Sequence, residues 1–190
     1  MEPFPARRSG PGIARALGAA RTGKVHAARK DLDRLEELRA NLIKANSEGT
    51  WQEYWVSQIE DHRQMVTAWI AYTQGRRDEA LQMLRAAADR EDSTAWDPVM
   101  PGREISARQL LGEMWLDAND PRQALQAFEA ALKVEPGRFW SLYGAARAAD
   151  LSGDQARAEA FFTRLVGQTA SADAEQRPAL KIARAFLEKR

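Results

Sequence analysis

Apolar and small residues recur along this chain at steps of three and four, in amphipathic stretches that suit one face of an α-helix. Short breakers separate the stretches: Thr22-Gly23, Gln74-Gly75-Arg76, Asn119-Asp120-Pro121 and Ser152-Gly153-Asp154. The run after each of the last three opens in one style, as Asp78-Glu79-Ala80-Leu81, Arg122-Gln123-Ala124-Leu125 and Gln155-Ala156-Arg157-Ala158. Charged or amide side chains followed by a small residue fit a helix N-terminus and its dipole. The pattern is therefore one of helix-turn-helix hairpins repeated along the chain. No window alternates β-branched with polar residues, so the expected class is all-α. The first dozen residues hold three prolines, two glycines and a serine, and 1–12 is expected to be a flexible lead-in.

The hairpins have a period. Asn119 and Gly153 lie 34 residues apart, and Ile105 to Arg138 carries the fullest unit. In it Leu111-Gly112 is followed by Trp115, Ala124, Phe128, Ala131 and Pro136. Gly112 and Ala124 are small where two helices would cross, the larger side chains fill the space around them, and Pro136 stops the second helix. The unit 139–172 repeats the order with Leu142, Ala145-Ala146, Ala149, Ala158, Phe162 and Leu165, without the closing proline. Backwards, 61–94 aligns through Ala68, Ala71, Gly75, Ala80, Leu84 and Ala87, and a weaker unit over 9–42 through Ala16, Ala19, Gly23, Ala28, Leu32 and Leu35.

These residues and their spacing resemble the tetratricopeptide repeat family, in the manner of the C-terminal array of larger bacterial tetratricopeptide proteins of unassigned function. The resemblance implies an α-solenoid of about four hairpins over 13–172, with insertions at 43–60 and 95–104. The first insertion is expected to lengthen the flanking helices, with a turn at Asn46-Ser47-Glu48-Gly49; the second, with two prolines, reads as a loop. Residues 176–190, with Leu180, Ile182, Ala183, Phe186 and Leu187, read as the capping helix that covers the last apolar face.

Composition narrows the function classes. Hydrophobic residues make up 44% and charged residues 29%, a balance that a folded domain can use and a disordered chain seldom has. The formal net charge of +1 gives no global attraction for nucleic acid or an anionic membrane, and neither partner is expected. Residues before Ala45 are about five more basic than acidic, and the remainder is about four more acidic than basic. Such an excess usually marks a solvated helix face. Without cysteine there is no disulfide, thiolate nucleophile or Cys-built zinc site. The run Ile13–Ala20, broken by Arg15 and Gly18, is too short for a spanning helix or a signal peptide, so a cytoplasmic protein is the expectation.

No catalytic constellation emerges, and the chain is not expected to be an enzyme or to take a cofactor. The histidines, His26 and His62, fall in different repeats, and adjacent Glu60-Asp61-His62 would point in different directions on a helix, so no metal site is expected. Gly10 to Gly12 precedes no phosphate-loop lysine, and no serine stands in a nucleophile-elbow context.

The six tryptophans and their neighbours are more informative. By resemblance, the first helix of each hairpin lines a concave surface where ligands dock. Projected onto this sequence, that helix presents His62, Met65, Trp69 and Tyr72 in one repeat, Gln109, Glu113 and Leu116 in the next, and Trp140, Tyr143, Arg147 and Asp150 in the third. Aromatics and arginine are enriched at interaction hot spots, although aromatics at helical spacing more often pack between repeats. The loop carrying Trp96, Val99 and Met100 could fold over the groove or pack on its edge. Repeats that hold acidic chaperone tails use lysines and asparagines where this chain has Met65, Trp69, Gln109, Glu113, Tyr143 and Arg147, so that role is not expected. The function expected is a non-catalytic scaffold for a protein or peptide; the alternatives are a self-associating homo-oligomer or a small-molecule accessory domain.

Overall fold

The computed structural model describes residues 9–45, 50–93, 103–169 and 177–189. Every regular element among the described residues is a helix. In order these are α1 (Ser9–Arg21), α2 (Val25–Lys44), α3 (Thr50–Thr73), α4 (Arg77–Ser93), α5 (Ala107–Asp117), α6 (Pro121–Val134), α7 (Phe139–Leu151), α8 (Gln155–Gln168) and α9 (Pro178–Leu187). Helix α1 takes in residues 9–12, the end of the expected lead-in; Pro11 is tolerated there because a first-turn residue has no helical acceptor for an N–H. Residues 50–60, expected as part of an insertion, extend α3 to 24 residues.

The four breakers are four turns of one kind. At each, the residue past the helix end has positive φ: Gly23 (71°), Gly75 (85°), Asn119 (61°) and Gly153 (83°). The following N–H then reaches back to a carbonyl five residues earlier, as Lys24 to Ala19 (2.9 Å), Arg76 to Ala71 (3.0 Å), Asp120 to Trp115 (2.9 Å) and Asp154 to Ala149 (2.9 Å). This is the Schellman closure, which satisfies helix-end carbonyls that would otherwise lack donors. Asn119 stands in for glycine because its short polar side chain tolerates the left-handed region. Beyond two of the turns an aspartate caps the next helix: Asp120 accepts from the Gln123 N–H and Asp154 from the Arg157 N–H, each at 3.1 Å.

The chain divides into two compact units, Met1–Ala107 and Arg108–Arg190. In the first, α3 packs against α1, α2 and α4, over a core that includes Ile13, Ala16, Leu35, Ile59, Val66, Ala68 and Leu84. Ion pairs tie the helices at their margins. Arg15 grips buried Asp31 through two hydrogen bonds of 2.8 and 2.6 Å, holding that carboxyl below its ordinary range, and Arg90 of α4 reaches buried Asp61 of α3 at 2.5 Å.

In the second unit, α7 lies between α6 and α8, and α9 covers the outer face of α8. Phe128 of α6 is fully buried in its centre. A Cβ built on Gly112 would come within 2.8 Å of the Phe128 ring, and one on Gly144 within 2.3 Å. Both glycines are therefore required by close approach: the ring occupies the volume of two missing side chains. Phe162, Leu165, Leu180 and Ala183 extend this core toward α9.

Candidate functional site

Helix α7 contributes a row of candidate binding side chains to the surface of the second unit. Trp140, Tyr143, Arg147 and Asp150 follow steps of three, four and three, so they share one face, opposite the buried alanines Ala145, Ala148 and Ala149. Trp140 is 56% exposed, a large value for the residue type most costly to leave in water. Its ring meets Phe139 edge-on at 5.0 Å and Tyr143 at 6.0 Å, and Tyr143 in turn meets core Phe162 at 6.4 Å. The exposed indole is thus anchored through a ladder of rings to the interior, which limits the rotamers it would lose on burial.

Cations flank the rings. The Arg147 guanidinium lies 5.8 Å from the Tyr143 ring centre, and the Arg177 guanidinium 5.4 Å from that of Phe139. Asp150, exposed, accepts from the Gln155 amide at 3.0 Å. On α5, half-buried Glu113 accepts from the Gln109 amide at 2.9 Å, and Leu116 is half-buried. Gln109 itself is buried, its carbonyl oxygen accepting from Arg138 at 3.1 Å and from the Ser141 hydroxyl at 3.4 Å. It orders the N-terminal end of α7 rather than offering a contact. Leu151, 61% exposed, adds apolar area at the far end of α7 that the sequence projection left out.

The matching stripe of the first unit is different. Met65 is fully buried, Trp69 is 2% exposed and His62 is 3% exposed, so they cannot serve as surface contacts; Tyr72 is half-buried. The reason is packing: α3 is covered by α1, α2 and α4, and the Arg21 guanidinium at the end of α1 sits 4.5 Å above the Trp69 ring. Burial lowers the His62 pKa to about 4, so this imidazole stays neutral at pH 7, and neither ring nitrogen has a hydrogen-bond partner among the described residues. The loop residues Trp96, Val99 and Met100 lie outside the described residues.

One cluster had no signal in the sequence. Glu91 of α4 is 1% exposed, and its carboxylate accepts from the Ala107 N–H at the start of α5 (2.8 Å) and lies 3.5 Å from the Ser106 hydroxyl. Arg103 approaches the other oxygen at 3.6 Å and donates to the Glu91 carbonyl at 2.5 Å. Burial dominates and pushes the Glu91 pKa up to about 7, Arg103 and the Ala107 N–H opposing it. Such a carboxylate fastens backbone but meets no solvent or substrate. Elsewhere in the second unit an open depression of about 270 Å³ is lined by Arg122, Leu125, Gln126, Ser152, Asp154 and Arg157, of which Asp154 and Arg157 already bond each other. Among the described residues no group of three or more His, Cys, Asp or Glu side chains is placed to hold a metal. No helix among them is long and apolar enough to cross a membrane.

Known proteins reproduce this backbone. PcrH from Pseudomonas aeruginosa superposes with a TM-score of 0.52 and 19% identity, over 68% of this chain and 90% of that one. A kinesin-light-chain array of nearly identical TPR-like repeats from Podosopora anserina superposes with a TM-score of 0.58 and 17% identity, over 100% of this chain and 87% of its own. No protein-family profile and no curated protein sequence matches the chain. At these identities the likeness establishes the fold: an all-α helical-repeat chain resembling tetratricopeptide repeats, of the α-solenoid class.

Proposed function

We propose that this tetratricopeptide-like chain is a non-catalytic scaffold, working in the cytoplasm, that holds a peptide or an extended segment of a partner protein on the α7 face of its second unit. The observation that carries this reading is Trp140: a tryptophan 56% exposed and braced by Phe139 and Tyr143, with the Arg147 guanidinium over the Tyr143 ring. Burying an indole of this kind beneath a ligand contributes roughly 2 kcal/mol from apolar area. The ring ladder keeps the ordering cost low, and Arg147 and Asp150 supply polar orientation.

The test is selection of a random peptide library on the immobilised chain, in parallel with the double variant Trp140→Ser, Tyr143→Ser. The native chain is expected to enrich peptides that the variant does not retain, while circular dichroism of the two agrees. Equal recovery on both, with both folded, would falsify the α7 surface.

A second reading, self-association, rests on Ile182 of α9, which is 49% exposed on the open side of the last helix. Charge argues against pairing the chain ends. The segment 177–190 carries Arg177, Lys181, Arg184, Lys189 and Arg190 against Glu188 alone, and the residues before Ala45 are basic as well. Joining the ends of two copies would set like charges together, which is unfavourable at an interface. A molar mass that doubles with concentration, and returns to the monomer value in Ile182→Glu, would restore this reading.

A further inference from the structure

The α7 face does not carry a balanced charge, and the imbalance identifies the chemistry of its occupant. Its carboxylate, Asp150, is already engaged by the Gln155 amide, as Glu113 of α5 is by Gln109. The cations are not. Among the described residues Arg147 lies over the Tyr143 ring and Arg177 over the Phe139 ring, and neither has a carboxylate partner. Lys181 and Arg184 follow Arg177 at steps of four and three, so the three share one side of α9 and its cap, all exposed and none in an ion pair among the described residues. By contrast Arg138 and Arg157 of the same unit are matched by Glu135, and by Asp154 and Glu129. The ring and guanidinium contacts run without a gap through Arg177, Phe139, Trp140, Tyr143 and Arg147.

We infer that this surface takes an acidic peptide segment bearing at least one large apolar side chain, its carboxylates meeting Arg147 and the Arg177–Arg184 side of α9 while the apolar residue covers Trp140. The inference rests on the scaffold reading above and specifies its partner. Two features favour a peptide over a nucleic acid or an anionic membrane. Asp150 stands within the same face and would repel a continuous row of phosphates, whereas a peptide can place a neutral residue opposite it. Exposed Trp140 and Leu151 offer apolar area at both ends of α7, which suits side chains of mixed character.

The experiment uses the full chain and a random twelve-residue peptide library, reading the composition of what is enriched. Enriched peptides are expected to be rich in Asp and Glu and to contain Trp, Phe or Leu. A labelled synthetic peptide of that composition should bind about ten-fold more weakly to Arg147→Glu, Arg184→Glu, in keeping with the loss of two partly exposed ion pairs. Both substitutions are at exposed positions, and the milder pair Arg147→Gln, Arg184→Gln should give an intermediate loss. The double Glu variant should in turn prefer the same peptide with Lys in place of Asp and Glu. Enrichment of neutral or basic peptides that still depends on Trp140 overturns the acidic assignment and leaves the docking surface standing. No enrichment over the Trp140→Ser, Tyr143→Ser chain overturns both. A single-stranded oligonucleotide, or a phosphatidylserine vesicle, that binds more tightly than the peptide through Arg147 and Arg184 overturns the peptide assignment in favour of a polyanion.

Discussion

Glu91 and His62 are buried side chains whose ionisation opposes the fold in opposite directions, and each makes a pH prediction. The Glu91 pKa is raised from 4.5 to about 7 by burial, so its neutral form is favoured in the folded state. Its favourable contribution is complete below the unfolded value and is lost as pH rises through about 7. Glu91→Gln keeps an acceptor for the Ala107 N–H and has no charge to bury. It should flatten the decline in thermal stability between pH 5 and 8, and at pH 8 it should be more stable than the native chain by roughly 1–3 kcal/mol. A Gln variant less stable at pH 8 with the same slope would show that Arg103 fully compensates the carboxylate. His62 behaves inversely. Its pKa falls from 6.5 to about 4, so stability is complete above 6.5 and is lost as pH drops through that interval. His62→Leu should remove that acid-side loss, measured as the melting temperature between pH 7 and 4. Gly144 gives a steric counterpart. Gly144→Ala should destabilise by about 1–3 kcal/mol, because the Phe128 ring would have to leave its place, and Phe128→Leu should recover part of the loss in the double variant.

At the scale of elements, one turn closure recurs four times while the capping varies. The second unit opens α6 and α8 with Asp120 and Asp154, both accepting backbone N–H bonds, whereas the first opens α2 after Lys24 with no side-chain cap. Replacing Asp120 or Asp154 by alanine should each cost about 1 kcal/mol in urea unfolding, and Lys24→Asp or Lys24→Ser should stabilise by a comparable amount. The four breakers were legible because left-handed turns demand glycine or asparagine, and that demand is local. Helix starts were less legible: α1 begins at Ser9, within a proline-containing stretch, because first-turn positions tolerate proline. Gly112 was legible as a helix-crossing residue, but its partnership with Gly144 around one ring was not, since the two lie on different helices.

At the scale of the whole molecule, the proposed scaffold is expected to be monomeric, with a molar mass near 21.3 kDa by light scattering over a hundred-fold dilution, because both ends are basic. The sequence by itself determined the helical class, the positions of the turns, the repeat and the residues that share each helix face. All of these follow from local backbone preference and a 3.6-residue period, which act over a few residues. It did not determine which copy of a face meets solvent. His62, Met65, Trp69 and Tyr72 stand at the same distances before Gly75 as Trp140, Tyr143, Arg147 and Asp150 before Gly153. Yet Met65 and Trp69 are buried while Trp140 and Arg147 are exposed. Nor did it distinguish Glu91 from the solvated carboxylates around it. Equivalent positions in a repeat have the same direction but different neighbours, and burial is set by which helices pack over them: α3 is enclosed on three sides, whereas the aromatic row of α7 is left open. Only the tertiary structure supplies those neighbours, because the contacts join residues that no local rule brings together.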